Sequence, residues 1–159
     1  MLEARAIPYA LLRHAPASTM ELCEGIGAEL GARHCKNLFL SNKHGTNFFL
    51  FLMDPDKPYR TSVVSRLLGS TRLSFGSDEQ LGSVLGARRG SVSIMALTGQ
   101  KARRAYDEGM LHIAIDSSLL KNERICVHPN DDTATLVLRT QDLLGFVSGM
   151  GYEYSVIET

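Results

Sequence analysis

The sequence predicts a mixed α/β fold, a barrel-like, largely antiparallel β-sheet with helices packed outside it. Three observations lead there. Short apolar strand segments outnumber long helical periods. Two of the strands flank a polar, glycine-containing turn, as a hairpin does. The regular strand–helix–strand alternation of a doubly wound sheet is missing. At 159 residues, with no linker or internal repeat, the chain reads as one domain spanning 1–159 that can bury a core of its own.

The elements follow in order. Ser18 with Glu21 three residues on forms a capping box. Met20, Leu22, Cys23, Ile26 and Leu30 then recur at helical spacing, and Gly31 ends that helix. Asn37–Leu40 is a short strand, Ser41–Thr46 a turn and Asn47–Met53 a second strand. Its unbroken apolar run, Phe48 to Met53, implies burial on both faces and a central place in the sheet. Asp54–Pro58 is a turn. Val63, Val64, Leu67 and Leu68 mark a short amphipathic helix that stops at Gly69. Arg72–Phe75 is a strand. Ser77 caps a helix with Gln80 at the box position, closing near Gly86. Ser91–Leu97, Leu111–Asp116 and Arg124–His128 are strands, the last two separated by a short helical turn. Thr133–Leu138 is a β-branched strand. Thr140, Gln141 and Asp142 cap a helix through Val147, and Tyr152–Ile157 closes the sheet.

Charge and composition exclude several function classes. Lys plus Arg number 17 and Asp plus Glu 17, so the chain does not wrap duplex DNA by bulk charge, although a local basic rim stays open to it. Hydrophobic residues at 44% and charged residues at 21% argue against disorder. The longest apolar run is far shorter than the ~20 residues of a membrane helix, and the start of the chain has no secretory pattern. Three cysteines, Cys23, Cys35 and Cys126, form no Cys-x-x-Cys pair. They read as small packing thiols in a reducing, cytoplasmic compartment. His34 and Cys35 with Cys126 and His128 match no zinc-finger or ribbon spacing, and no metal is expected.

Three segments can carry chemistry. In His34-Cys35-Lys36-Asn37-Leu38-Phe39-Leu40, Lys36 sits at a strand mouth, where its compact ammonium can hold a phosphate or polarise a carbonyl. Asn37 follows on the opposite side of the pleat. In Arg88-Arg89-Gly90-Ser91-Val92-Ser93-Ile94, Gly90 permits a positive φ, and the small residues after it can present backbone amides to a ligand oxygen. It is neither a phosphate-binding loop nor a dinucleotide fingerprint. In His128-Pro129-Asn130-Asp131-Asp132, the imidazole ends an apolar strand where it can face a cleft, and Asp131-Asp132 reads as a turn. Singly, each segment also fits a plainer role: a solvated lysine, an ordinary turn, a structural histidine. No Gly-x-Ser-x-Gly or His-Glu-x-x-His motif is present.

Together these segments resemble the YbaK/ProX family of trans-editing aminoacyl-tRNA deacylases, related to the editing domain inserted in bacterial prolyl-tRNA synthetases. The resemblance runs from about His14 to Glu158. It rests on His14-Ala15-Pro16-Ala17-Ser18-Thr19, Cys35 to Leu40, Arg72 to Ser77, Gly90 to Ser93, and His128-Pro129-Asn130 with Thr133-Ala134-Thr135. It is nearer the ProX branch, which clears alanine from proline tRNA, than the YbaK branch, which clears cysteine. The resemblance implies hydrolysis of the ester between a wrong amino acid and the terminal ribose, with no metal or organic cofactor. It implies Lys36, Gly90 and His128 as catalytic positions and Asn37, Ser91, Val92, Ser93 and Ile94 as substrate-binding ones. Lys36 would bind the phosphate or carbonyl region, Asn37 would help position the substrate, the Gly90–Ile94 amides would face the ester, and His128 would line the aminoacyl pocket. Ile94 stands where the family loop usually ends in Pro, and Asp132 where Asn is common. The implied partners are mischarged proline tRNA and prolyl-tRNA synthetase. Serine or cysteine as the cleared residue, and a catalytically silent tRNA- or synthetase-binding module, are the rival readings.

Overall fold

The computed structural model describes residues 2, 5–13, 31–129 and 133–159. The expected helix from Ser18, the His14–Thr19 opening and the Asp131-Asp132 turn lie outside those residues.

Among the described residues nine strands form two sheets: β1 (Ala10–Arg13), β2 (Arg33–His34), β3 (Lys36–Ser41), β4 (Phe48–Met53), β5 (Ser74–Phe75), β6 (Leu111–Asp116), β7 (Arg124–Val127), β8 (Ala134–Arg139) and β9 (Ser155–Ile157). One sheet runs β5-β3-β4-β6-β9, the other β1-β8-β7-β2. Four α-helices flank them among the described residues: α1 (Thr61–Leu67), α2 (Asp78–Val84), α3 (Gln100–Asp107) and α4 (Thr140–Gly149). The mixed α/β class with flanking helices is the one the sequence predicts. The barrel expectation needs correction, because among the described residues the two sheets stay separate and do not close. The pairing is also more mixed than expected: β2–β7, β4–β6 and β6–β9 are parallel and the other pairs antiparallel. Parallel neighbours need crossovers, and the short helical segments between strands supply them.

The β3–β4 hairpin is the spine. Lys36 pairs with Met53 and Ser41 with Phe48 in antiparallel register. All six residues of β4 are buried, and β4 lies in the middle of its sheet, as the unbroken apolar run requires. Side chains alternate across the pleat. Phe39, Phe48, Leu50 and Leu52 join Ile125, Val127, Leu136 and Leu138 of the second sheet in one core. Leu40, Phe49, Phe51 and Met53 pack on the other face with Val64 of α1 and Leu73.

Ser77 caps α2 as expected, its side chain accepting from the Gln80 amide while the Gln80 side chain accepts from the Ser77 amide. Just before it, Gly76 donates its amide to the Phe39 carbonyl at 2.9 Å. A Cβ at Gly76 would lie 2.4 Å from the Phe39 ring, so only glycine lets the chain pass there.

Several segments differ from the sequence expectation, including β1 and β2, which it left without a strand, and β9, which is shorter than Tyr152–Ile157. Ser91–Leu97 is not a strand: residues Ile94–Thr98 form a 3-10 turn whose start is capped by Ser93, the side chain accepting from the Met95 amide. Local side-chain capping outcompetes the strand ladder there. Only Ser74–Phe75 of the expected Arg72–Phe75 strand pairs, because the Leu73 amide donates to Ser65 Oγ. α3 is invisible to apolar periodicity: apart from Tyr106, half-buried against the core, its apolar residues are Ala102 and Ala105, the two it buries.

Candidate active site

β2 and β3 are separated by Cys35 alone, and the run from His34 to Asn37 therefore links the two sheets. His34 pairs in register with Cys126 of β7, and the Cys35 thiol donates to the Cys126 carbonyl at 3.4 Å. Ile125 and Val127 face the shared core. Strand alternation turns Cys126, and His128 one residue beyond the strand, to the opposite face. His34 meets His128 there, ring centroids 5.8 Å apart and edge to face.

Both imidazoles are buried. His128 Nδ1 lies 2.9 Å from the Ala134 carbonyl. A carbonyl only accepts, so Nδ1 is the donor of that hydrogen bond. Burial, reinforced by the neighbouring His128, lowers the His34 pKa to about 4. This wall of the site is thus without the His34 charge at neutral pH.

The Gly90–Ile94 segment reaches the same place through Ser93, whose fully buried hydroxyl donates to the His128 carbonyl and accepts from the Met95 amide at 3.2 Å. Gly90 has φ +90°, the left-handed conformation expected of it. A Cβ there would meet nothing within 4 Å, so glycine is needed for the backbone angle and not for space. The five amides are not equivalent. Ser91 donates to the Arg88 carbonyl at 3.1 Å, and its hydroxyl turns back to the same carbonyl. The amides of Gly90, Val92, Ser93 and Ile94 have no described acceptor.

Lys36 is placed differently from the other predicted residues. Its Nζ donates to the Lys57 carbonyl at 3.0 Å. It pairs with Met53 and so shares the face on which α1 packs. The Lys57 ammonium is anchored in turn, 3.2 Å from Oδ1 of the fully buried Asp116. Asn37 points to the other side, as the pleat demands. Its Nδ2 donates to the Cys35 carbonyl at 3.1 Å, and its Oδ1 is buried with no hydrogen-bond partner among the described residues. An acceptor in that state carries a desolvation cost of ~1–3 kcal/mol that a donor on a ligand would relieve.

The structure therefore joins Ser93, His128 and the His34–Asn37 run, while the Lys36 ammonium is held by Lys57. His34 is the residue the sequence reading weighed only as a metal ligand. Its signal was its position two residues before Lys36, at a strand end. Among the described residues no three His, Cys, Asp or Glu side chains are grouped to hold a metal ion, and no helix is long and apolar enough to cross a membrane.

The model of the aminoacyl-tRNA editing domain matches residues 14–146. The chain is 31% identical over 157 residues to the prolyl-tRNA editing protein ProX of Acetoanaerobium sticklandii, covering 99% of this chain and 92% of that protein. It is 27% identical to the prolyl-tRNA synthetase associated domain-containing protein 1 of Bos taurus, covering 96% and 87%. A solved structure assigned as a candidate trans-editing enzyme for prolyl tRNA synthetase shares the fold, with a TM-score of 0.70 at 17% identity over 99% of this chain and 90% of the other. The chain belongs to the aminoacyl-tRNA editing domain family and is an aminoacyl-tRNA deacylase, a hydrolase of the ester that links amino acid to tRNA.

Proposed function

We propose that residues 1–159 form one trans-editing domain that removes alanine from mischarged proline tRNA. The observation that carries this reading is the 31% identity to a prolyl-tRNA editing protein along 99% of the chain. On this reading the protein works in the cytoplasm, on the 3′ end of the tRNA and alongside prolyl-tRNA synthetase.

An ester is activated enough that water can attack it without a covalent enzyme intermediate. In the mechanism we favour, the substrate's own ribose hydroxyl positions that water and takes its proton while passing its own to the departing ribose oxygen, so the ester C–O bond breaks to give free amino acid and an uncharged ribose diol. Amides of Gly90, Val92, Ser93 and Ile94 receive the developing oxyanion, Ser91 being occupied by Arg88. One such donor is worth ~2.7–4 kcal/mol where it has been removed by mutation. Lys36 and Asn37 orient the end of the tRNA, and His128 lines the aminoacyl pocket. A pocket that admits alanine and rejects a longer side chain discriminates by only ~1–3 kcal/mol per methylene, which is why a dedicated editing enzyme is useful.

Single-turnover deacylation of proline tRNA charged with Ala, Ser, Cys or Pro tests the proposal. The expected result is fastest hydrolysis of the alanyl ester and sparing of the prolyl ester. Faster hydrolysis of the seryl or cysteinyl ester would reassign the substrate. No hydrolysis of any of the four would overturn the reading.

A further inference from the structure

The chain's charge balances as a whole but is segregated within it. From Lys57 to Gly76 the sequence carries Lys57, Arg60, Arg66 and Arg72 and no Asp or Glu. The fold gathers this stretch into one surface. The Tyr59 and Phe75 rings meet at 5.4 Å and bring its two ends together. The Ser70 amide donates to the Ser65 carbonyl and the Leu73 amide to Ser65 Oγ, which fastens the loop bearing Arg72 next to Arg66. The Lys43 amide donates to Thr71 Oγ1 at 3.2 Å and adds a further exposed cation.

Arg60, Arg66 and Arg72 are exposed and none pairs with a described acid, whereas Arg33, Arg89, Arg103, Arg104 and Arg139 each do. Of the nearby carboxylates, Asp54 and Asp56 are engaged by Arg33, Asp116 by Lys57 and Asp78 by Arg89, while Glu79 is exposed in the first turn of α2. Among these cations Phe75 stands 63% exposed on the edge strand β5, a large apolar ring in water. A hollow of about 250 Å³ beside Arg60 is lined by Lys57, Pro58, Arg60, Val63, Val64 and Thr159. Unpaired cations around an exposed aromatic ring are the combination that binds single-stranded nucleic acid, through phosphate charge and base stacking.

We propose that this surface docks the single-stranded acceptor end of the substrate RNA, with Arg60, Arg66 and Arg72 on its phosphates and an unstacked base on Phe75. The proposal rests on the editing reading above, and one contact ties this stretch to the Lys36 strand: the Lys57 carbonyl that holds Lys36 Nζ lies three residues before Arg60.

The test is fluorescence anisotropy of uncharged proline tRNA with the full chain over a range of salt. The variants are the triple substitution Arg60→Ala/Arg66→Ala/Arg72→Ala, Phe75→Ala, and Arg104→Ala as a control on α3. The triple variant should raise Kd at least ~10-fold at low salt and flatten the log Kd against log salt slope by about 2, at ~0.7 per single-strand phosphate. Phe75→Ala should raise Kd ~5–150-fold, the range for one stacked base, with the slope unchanged. Unchanged Kd and slope in the triple variant would overturn the proposal, as would an equal loss in Arg104→Ala. So would loss of prolyl-tRNA synthetase association with tRNA binding intact. The editing reading fails separately: a parent protein that binds tRNA through these arginines yet hydrolyses no ester sinks that reading and upholds the surface.

Discussion

The buried imidazole of His34 makes stability depend on pH in a calculable way. Its pKa is lowered from 6.5 to about 4 in the folded chain, by burial first and by His128 second. Between those values the unfolded chain binds a proton that the folded chain refuses, so stability rises with pH across the window and is lost as pH falls. Above 6.5 neither state holds the proton and nothing is lost. Below 4 both hold it and the loss is complete. Each pH unit between the two values corresponds to ~1.4 kcal/mol, so the full loss is about 3 kcal/mol, of which about 2 kcal/mol has gone by pH 5. The assay is urea unfolding of the parent and His34→Gln at pH 7 and pH 5. Comparing the two pH values within each protein removes any constant cost of the substitution. The parent should lose about 2 kcal/mol more than the variant, a difference of roughly 1 M in urea midpoint. Equal losses would refute the reasoning, because His34 would then carry the same proton affinity folded and unfolded.

Further expectations concern the site and the core. Lys36→Ala should slow single-turnover deacylation by on the order of 10²-fold through lost positioning; an unchanged rate would remove Lys36 from the site. Ile94 begins the 3-10 turn, where a missing amide breaks no described hydrogen bond. Ile94→Pro should therefore retain activity with Gly90, Val92 and Ser93 as the remaining donors, and complete loss would assign the oxyanion to the Ile94 amide. Ser93→Ala leaves the His128 carbonyl and the Met95 amide without their shared hydroxyl and should cost ~1–3 kcal/mol in urea unfolding. Phe51, fully buried in β4, should cost ~3–5 kcal/mol as Phe51→Ala, lowering the melting temperature by roughly 6–20 °C for a chain of this size.

Local chemistry was legible wherever one segment carried its own instruction. The apolar run of β4 declared its burial, the Ser77–Gln80 box declared a helix start, and Gly90 declared a positive φ. The motifs around Lys36, Gly90 and His128 pointed to the editing family with no structure in hand. Other features were not legible, each for a physical reason. The Ile94–Thr98 turn wins over a strand because the Ser93 hydroxyl caps it and then reaches His128, a partner 35 residues away. α3 has almost no apolar stripe, since it buries only two alanines.

The sequence by itself determined which segments are apolar, where helices can begin and which residue types are available for chemistry, because those follow from each residue and its near neighbours. The tertiary structure alone decided that the two sheets of the described residues stay apart, that His34 faces His128, that Lys36 is held by Lys57, and that Tyr59 meets Phe75. Those outcomes depend on strand register and sheet pairing, which bring together groups that no short-range pattern in the chain connects.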